Sequence, residues 1–432
     1  MLGASVFGIT LLHILKFLAI WAATGATLWL VGISLSALTL KAMTRGVAFE
    51  LRRSEVVLQW AYAVVMWATC LFFFVSLPFF LVLTPVVLLM SLPVTLGALL
   101  FAPKLVWNVM MMPSRSVMSL LRGMFGHTQQ SSTGVAIDIA SEPGLVAVVY
   151  DVAQRLKTEP IDLIWLTAGA QLGVFEDVTF LQRLTGGKGT RNLVLGSAML
   201  QTLSVEQFKS VLAHEYGHFR NADTRGGAFA IGVRATLYGM AEEMVGRKAA
   251  SVLNPVWLFM VVFERIFVQI SAGASRMREV MADRQAIRHY GAAAFEQGMT
   301  RAIWASVQYN LRFGRLISQV MSRRQPLYNL TEQLLEIHVH EYEINTSYQD
   351  TLNREPSRKD SHPAPAERIR YAHQLDETAA LRPPAAETPA WSMFADRASR
   401  ERQLTEYMRM MIASSTGYAP PAGSEWGRRF RS

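Results

Sequence analysis

The sequence predicts an α+β protein: N-terminal transmembrane helices followed by a mainly helical domain with a small β-sheet. Three observations predict it. Charge-free runs occupy residues 17–40 and 56–103, strand-like runs cluster between 161 and 196, and from residue 203 onward the chain reads as mainly helical. Composition agrees, because 51% hydrophobic residues and a mean hydropathy of +0.21 are high for a soluble chain. With 432 residues, two or three folding units are expected.

The first run lies between Lys16 and Lys41 and suffices for one helix across a hydrocarbon core of about 30 Å. A cleaved signal peptide is disfavoured, because the first residues lack a basic region and the apolar run is too long. The second run, from Val56 to Pro103, is too long for one span and predicts two, with a turn near Leu77 to Pro85. Residues 1–104 thus read as a three-span anchor and 105–134 as a linker. Lys41, Arg45, Arg52 and Arg53 crowd the loop after the first span, and Lys104, Arg115 and Arg122 follow the second run. The positive-inside rule then puts the N-terminus outside and the following domain in the cytoplasm. The single Cys70 rules out an intrachain disulfide, which suits a reducing compartment.

Residues 135–375 form the next unit. A helix is predicted near Gly144–Lys157, with strands at Ile161–Thr167, Val174–Phe180 and Asn192–Gly196. The turn Thr185–Gly189 lacks the spacing of a phosphate-binding loop. Phe208, Val211 and Leu212 then recur at helical spacing behind Ser204 as N-cap, without Pro or Gly before Gly217. This helix carries His214-Glu215-Tyr216-Gly217-His218. Residues four apart share a helix face, so both imidazoles can bind one Zn²⁺ while Glu215 stands beside a metal-bound water. Hydrolytic zinc keeps three protein ligands and an open position, which calls for a third ligand downstream. The best candidate is Glu279, with Asp283 one turn on to accept the second N–H of a ligand histidine. The alternative is an exposed charged face with Arg276, Arg278 and Arg284 as partners.

Three segments in order, Arg191–Leu200 with Leu203–Thr224, Glu279–Asp283, and Ser361-His362-Pro363 running to Glu367-Arg368, resemble the HtpX and CAAX prenyl protease (Ste24-like) family of integral-membrane zinc metalloendopeptidases. The resemblance covers roughly residues 135–375. It implies a zincin-like catalytic domain of the gluzincin type, one Zn²⁺ per chain held by His214, His218 and Glu279, and Glu215 as general base. It also implies His362 as a donor to the oxyanion and Arg368 shaping that wall of the site. Asp223, five residues after His218, is expected to support the zinc helix. An edge strand formed by Asn192, Leu193, Val194, Leu195 and Gly196 would hold the substrate backbone, the competing reading being an interior strand. The expected partners are the lipid bilayer and a polypeptide, unfolded or a membrane protein, in quality control at the bacterial inner (cell) membrane. Two other functions stay open: a non-catalytic membrane-anchored chaperone or scaffold with structural zinc, and prenyl-substrate processing, for which few spans are visible.

Between the metal motifs, residues 226–273 are apolar but interrupted by Arg234, Glu242, Glu243, Glu264 and Arg265. They predict a helical hairpin resting on the catalytic domain or bilayer surface, with spanning as the alternative. Leu327–Asn353 reads as one long polar helix, whose His338 and His340 fall on different faces and so make no second metal site. Residues 376–432 read as a flexible basic tail with a short amphipathic helix around Arg397–Ile412. The net charge of +9 suits contact with anionic lipid. No basic cluster with interleaved aromatics is present, so nucleic acid is not an expected partner.

Overall fold

The computed structural model describes residues 2–44, 52–90, 103–104, 107, 111–125, 134–177, 189–222, 227–252, 254–355, 363–375 and 387–422. Its long apolar helices are α1 (Leu2–Thr44), α2 (Arg52–Met90) and, far downstream, α8 (Pro255–Tyr290). Each contains a stretch long and apolar enough to cross a membrane: Lys16–Thr39, Val57–Val82 and Pro255–Tyr290.

The third candidate span is not the predicted one. α2 runs unbroken through Leu77–Pro85, where the sequence predicts a turn. Packing overrides the proline at 78, because Phe73 before it and Phe80 after it both stack on Phe259 of α8, with ring centroids 5.5 and 4.5 Å apart. Of the return arm expected between that turn and Pro103, residues 86–90 continue α2 and 91–102 lie outside the described residues. The predicted linker contains α3 (Met112–Phe125), which packs on α7 (Gly227–Gly246).

α8 does not rest on a surface but fills the groove between α1 and α2. It starts at Asn254, whose side chain accepts from Val256 N and donates to Ser116 of α3 at 2.9 Å. Contacts then march along it: Trp21 with Phe259, Trp29 with Gln269 and Ser36 with Arg276 make it parallel to α1, while Phe80 with Phe259, Phe73 with Phe263 and Gln59 with Met281 make it antiparallel to α2. The charges that argued against spanning, Glu264 and Arg265, do not enter this core, which Phe259, Phe263, Phe267 and Ile270 fill.

The domain beyond is built on a sheet of order β1-β2-β4-β3, from β1 (Val135–Ile137), β2 (Leu163–Thr167), β3 (Leu172–Asp177) and β4 (Thr190–Gly196). β4 pairs parallel to β2 and antiparallel to β3. Asn192, Leu193, Val194, Leu195 and Gly196 are therefore interior, and the edge next to them is β3. The apolar run with Leu193 and Leu195 wholly buried is what a strand paired on both sides requires. α4 (Pro143–Leu156), α5 (Ser197–Thr202), α6 (Val205–Ala222) and α9 (Ala292–Ser322) build the core around this sheet.

The segment read as one polar helix is two, α10 (Leu330–Glu336) and α11 (Glu341–Leu352), because Ile337 and Val339 turn extended backbone into the core between them. α12 (Pro365–Leu375) follows. Residues 387–422 are no loose tail. Trp391, Met393 and Phe394 are buried, and α13 (Arg397–Thr416) lies on the domain. Buried Glu142 accepts from Ala395 N at 2.7 Å and from Arg400 at 2.8 Å, while Val205 N donates to Thr388 O and Ala390 N to Leu203 O. The Pro- and Ala-rich composition hides this apolar anchor. The predicted tail at 376–386 and 423–432 lies outside the described residues.

Candidate metal centre

The helix that carries the paired histidines, α6, begins with a reciprocal cap. Gln207 N donates to Ser204 Oγ at 3.3 Å and Ser204 N donates to Gln207 Oε1 at 3.0 Å, satisfying two backbone donors that the helix leaves open. A second brace comes from the backbone of Thr388 and Ala390. Phe208, Leu212 and Tyr216 bury one face, which turns His214 and His218 toward α8.

α8 approaches closely because Gly217 has no side chain. A Cβ there would lie 2.8 Å from Ala282 Cα, closer than packing allows. With the two backbones in contact, Glu279 reaches both imidazoles: His214 Nε2 is 3.4 Å from Oε2, His218 Nε2 is 3.4 Å from Oε1, and the two Nε2 atoms are 3.2 Å apart. Donors about 2.0–2.1 Å from a shared tetrahedral centre sit about 3.3–3.4 Å from one another, so these separations fit one ion in the middle. Among the described residues this is the group of His, Cys, Asp and Glu side chains that could hold a metal.

Burial opposes charge on His214, but hydrogen bonds to Asp283 and Glu279 overcome it and push the pKa up to about 10. Burial and then the neighbouring His214 charge hold His218 down to about 4. The buried carboxylates thus draw one positive charge into the space between the rings, a demand that a divalent cation meets.

Behind the ligands the supports are direct. His214 Nδ1 lies 2.8 Å from Asp283 Oδ1, which fixes the ring with Nε2 facing the metal position. Arg368 of α12 grips Asp283 with two hydrogen bonds, Nε to Oδ2 at 2.9 Å and an Nη to Oδ1 at 2.6 Å, and lies over the Phe295 ring. Arg368 therefore acts on the carboxylate behind His214. His362 and Asp223 lie outside the described residues.

Glu215 ligates nothing here. It faces β3, where a Cβ on Gly173 would come within 3.9 Å of its Oε2, and it is hydrogen-bonded to the backbone of Val174. Burial raises its pKa to about 6, the range of a carboxylate that takes and returns protons near neutrality. Sequence reasoning missed β3 as the strand beside Glu215. The half-buried residues throughout Leu172–Glu176 and the small Gly173 mark an edge, but a family-guided placement on Asn192–Gly196 masked it.

Residues 184–376 match Peptidase family M48. A solved structure, the crystal structure of S. mikatae Ste24p, is similar over 80% of this chain and 80% of its own, at 14% sequence identity and a TM-score of 0.30. No curated protein matches the chain.

Proposed function

We propose that this chain, whose residues 184–376 match Peptidase family M48, is a membrane-anchored zinc endopeptidase acting on unfolded or membrane polypeptides in quality control. The observation that carries the reading is a three-ligand centre, His214, His218 and Glu279, with the base Glu215 left free of it beside a sheet edge. A purely structural zinc site would be closed by a fourth ligand and has no use for a base at this place, which disfavours the scaffold alternative.

Zn²⁺ held by the three ligands would supply a Lewis acid and a water of lowered pKa. Glu215 takes the proton of the attacking water and returns it to the leaving amine. Asp283, clamped by Arg368, keeps His214 in the tautomer that presents Nε2. The substrate lies extended as an added strand on the free side of β3, so that its scissile bond passes Gly173 and Glu215. His362 is proposed as the donor to the oxyanion on the family resemblance, and Asp223, five residues after His218, as a support of the zinc helix.

The catalytic domain adjoins the end of the bundle where α1 finishes and α2 begins, since Gln59 meets Met281 and Ser36 meets Arg276. That is the end of the basic loop with Lys41 and Arg52, so the positive-inside rule puts the domain in the cytoplasm. The test is metal analysis of the purified full chain with turnover of an unfolded membrane protein, for wild type and Glu215→Gln. One zinc per chain in both and a loss of turnover on the order of 10²-fold or more in the variant are expected. Undiminished proteolysis by Glu215→Gln, or wild type that hydrolyses peptide bonds without metal, overturns the reading.

A further inference from the structure

On the assignment of α8 as a membrane-spanning helix, we infer that α8 also carries the contact by which two copies of this chain pair inside the bilayer, through reciprocal ion pairs between Arg265 of one copy and Glu264 of the other. The core side of α8 is filled by Phe259, Phe263, Phe267 and Ile270. At about 100° per residue, the line through Val261 and Val268 runs roughly opposite that side, while Trp257 packs in part against the core. These three residues are half-buried, next to exposed Leu258 and Val262. Arg265 falls about 50° to one side of the line and Glu264 about 50° to the other.

Depth makes the charges significant. Arg265 lies ten residues into α8, about 15 Å from its start at Pro255, near the middle of a hydrocarbon core of about 30 Å. Arg265 is exposed, Glu264 half-buried, and neither makes an ion pair among the described residues. Charged groups at this depth are retained where a partner compensates them. The two residues are consecutive, opposite in sign and placed symmetrically about an apolar seam. A two-fold axis along the membrane normal therefore brings Arg265 of each copy to Glu264 of the other while Val261 and Val268 pack between them. One copy's surface complements itself in charge, which singles out a second copy over a partner of single sign.

The experiment uses the full chain in lipid vesicles. Val261→Cys in a Cys70→Ala background should cross-link into a disulfide dimer on mild oxidation. In vesicles, Arg265→Glu should weaken dimerisation at least tenfold by placing like charges together, and the swap Glu264→Arg with Arg265→Glu should restore it. Alkaline extraction, and protection of the thiol introduced by Val261→Cys from a water-soluble reagent, report spanning separately. A chain that stays in the membrane with this thiol protected yet remains monomeric, or a dimer indifferent to Arg265→Glu, overturns the pairing alone. A thiol at this position open to the aqueous reagent overturns the spanning assignment and the pairing with it. If Arg265→Glu fails to insert, cross-linking of the Val261→Cys protein with its native charges decides.

Discussion

Gly217 of α6 and Ala282 of α8 touch backbone to backbone, and the Cβ that any other residue would add at 217 would come 2.8 Å from Ala282 Cα. The candidate metal centre depends on this contact, because Glu279 belongs to one helix and both histidines to the other. Gly217→Ala should force the helices apart, costing about 1–3 kcal/mol of stability as overpacking does. The larger effect should be on the ligand triangle. Zinc titration of the purified variant should show weakened affinity with secondary structure retained, and unchanged affinity would remove the close approach from the account of the site.

Asp283→Asn should test the support behind His214. An amide can present its N–H to the imidazole and so favour the wrong tautomer, and it loses the charge that Arg368 grips. Zinc affinity is expected to fall about 10–100-fold. Removing the metal with a chelator should abolish turnover in wild type and variant alike, and added zinc should restore the variant only at higher concentration.

Arg276 is 1% exposed and donates to the backbone oxygen of Ser36 at 3.1 Å and to its Oγ at 2.8 Å, joining α8 to the end of α1. Ser36→Ala removes one acceptor from a buried guanidinium and should cost about 1.5–3 kcal/mol, the range for hydrogen bonds to charged groups. Thermal unfolding in detergent would register it. A variant as stable as wild type would mean that Ser36 Oγ contributes little at this junction.

Trp391 is 4% exposed and anchors the segment that braces the start of α6. Trp391→Ala should cost about 3–5 kcal/mol. Proteolysis of the variant should cut first between residues 376 and 396. Cleavage that begins elsewhere would argue against the docked segment.

Much of the centre is legible in the sequence because its spacing is local. His214 and His218 sit one helical turn apart behind the Ser204 cap, and the same is true of Glu279 and Asp283, so helix periodicity alone aims each pair. The readings that failed concern partners distant in sequence. The turn at Leu77–Pro85 was expected from its prolines without knowledge of Phe259, and Glu264 with Arg265 argued against a spanning α8 although they lie off its core face. The interior place of Asn192–Gly196 depends on pairing with β2 and β3 together, which no local pattern encodes. Trp391 to Phe394 disappeared into a polar composition because four residues scarcely move an average.

α8 passes without interruption from Pro255, among the apolar rings, to Asp283 behind the metal ligands. Glu279 follows Arg276 by three residues, a rise of about 4.5 Å, so a stiff shaft holds the proposed cutting point within one helical turn of where the greasy part of the rod ends. Such a blade has no reach. On the proposed function, peptide bonds deep in the aqueous phase would come to it only when their chain is drawn down to the lipid face, whereas a strand slipping out of the bilayer would meet it on emerging.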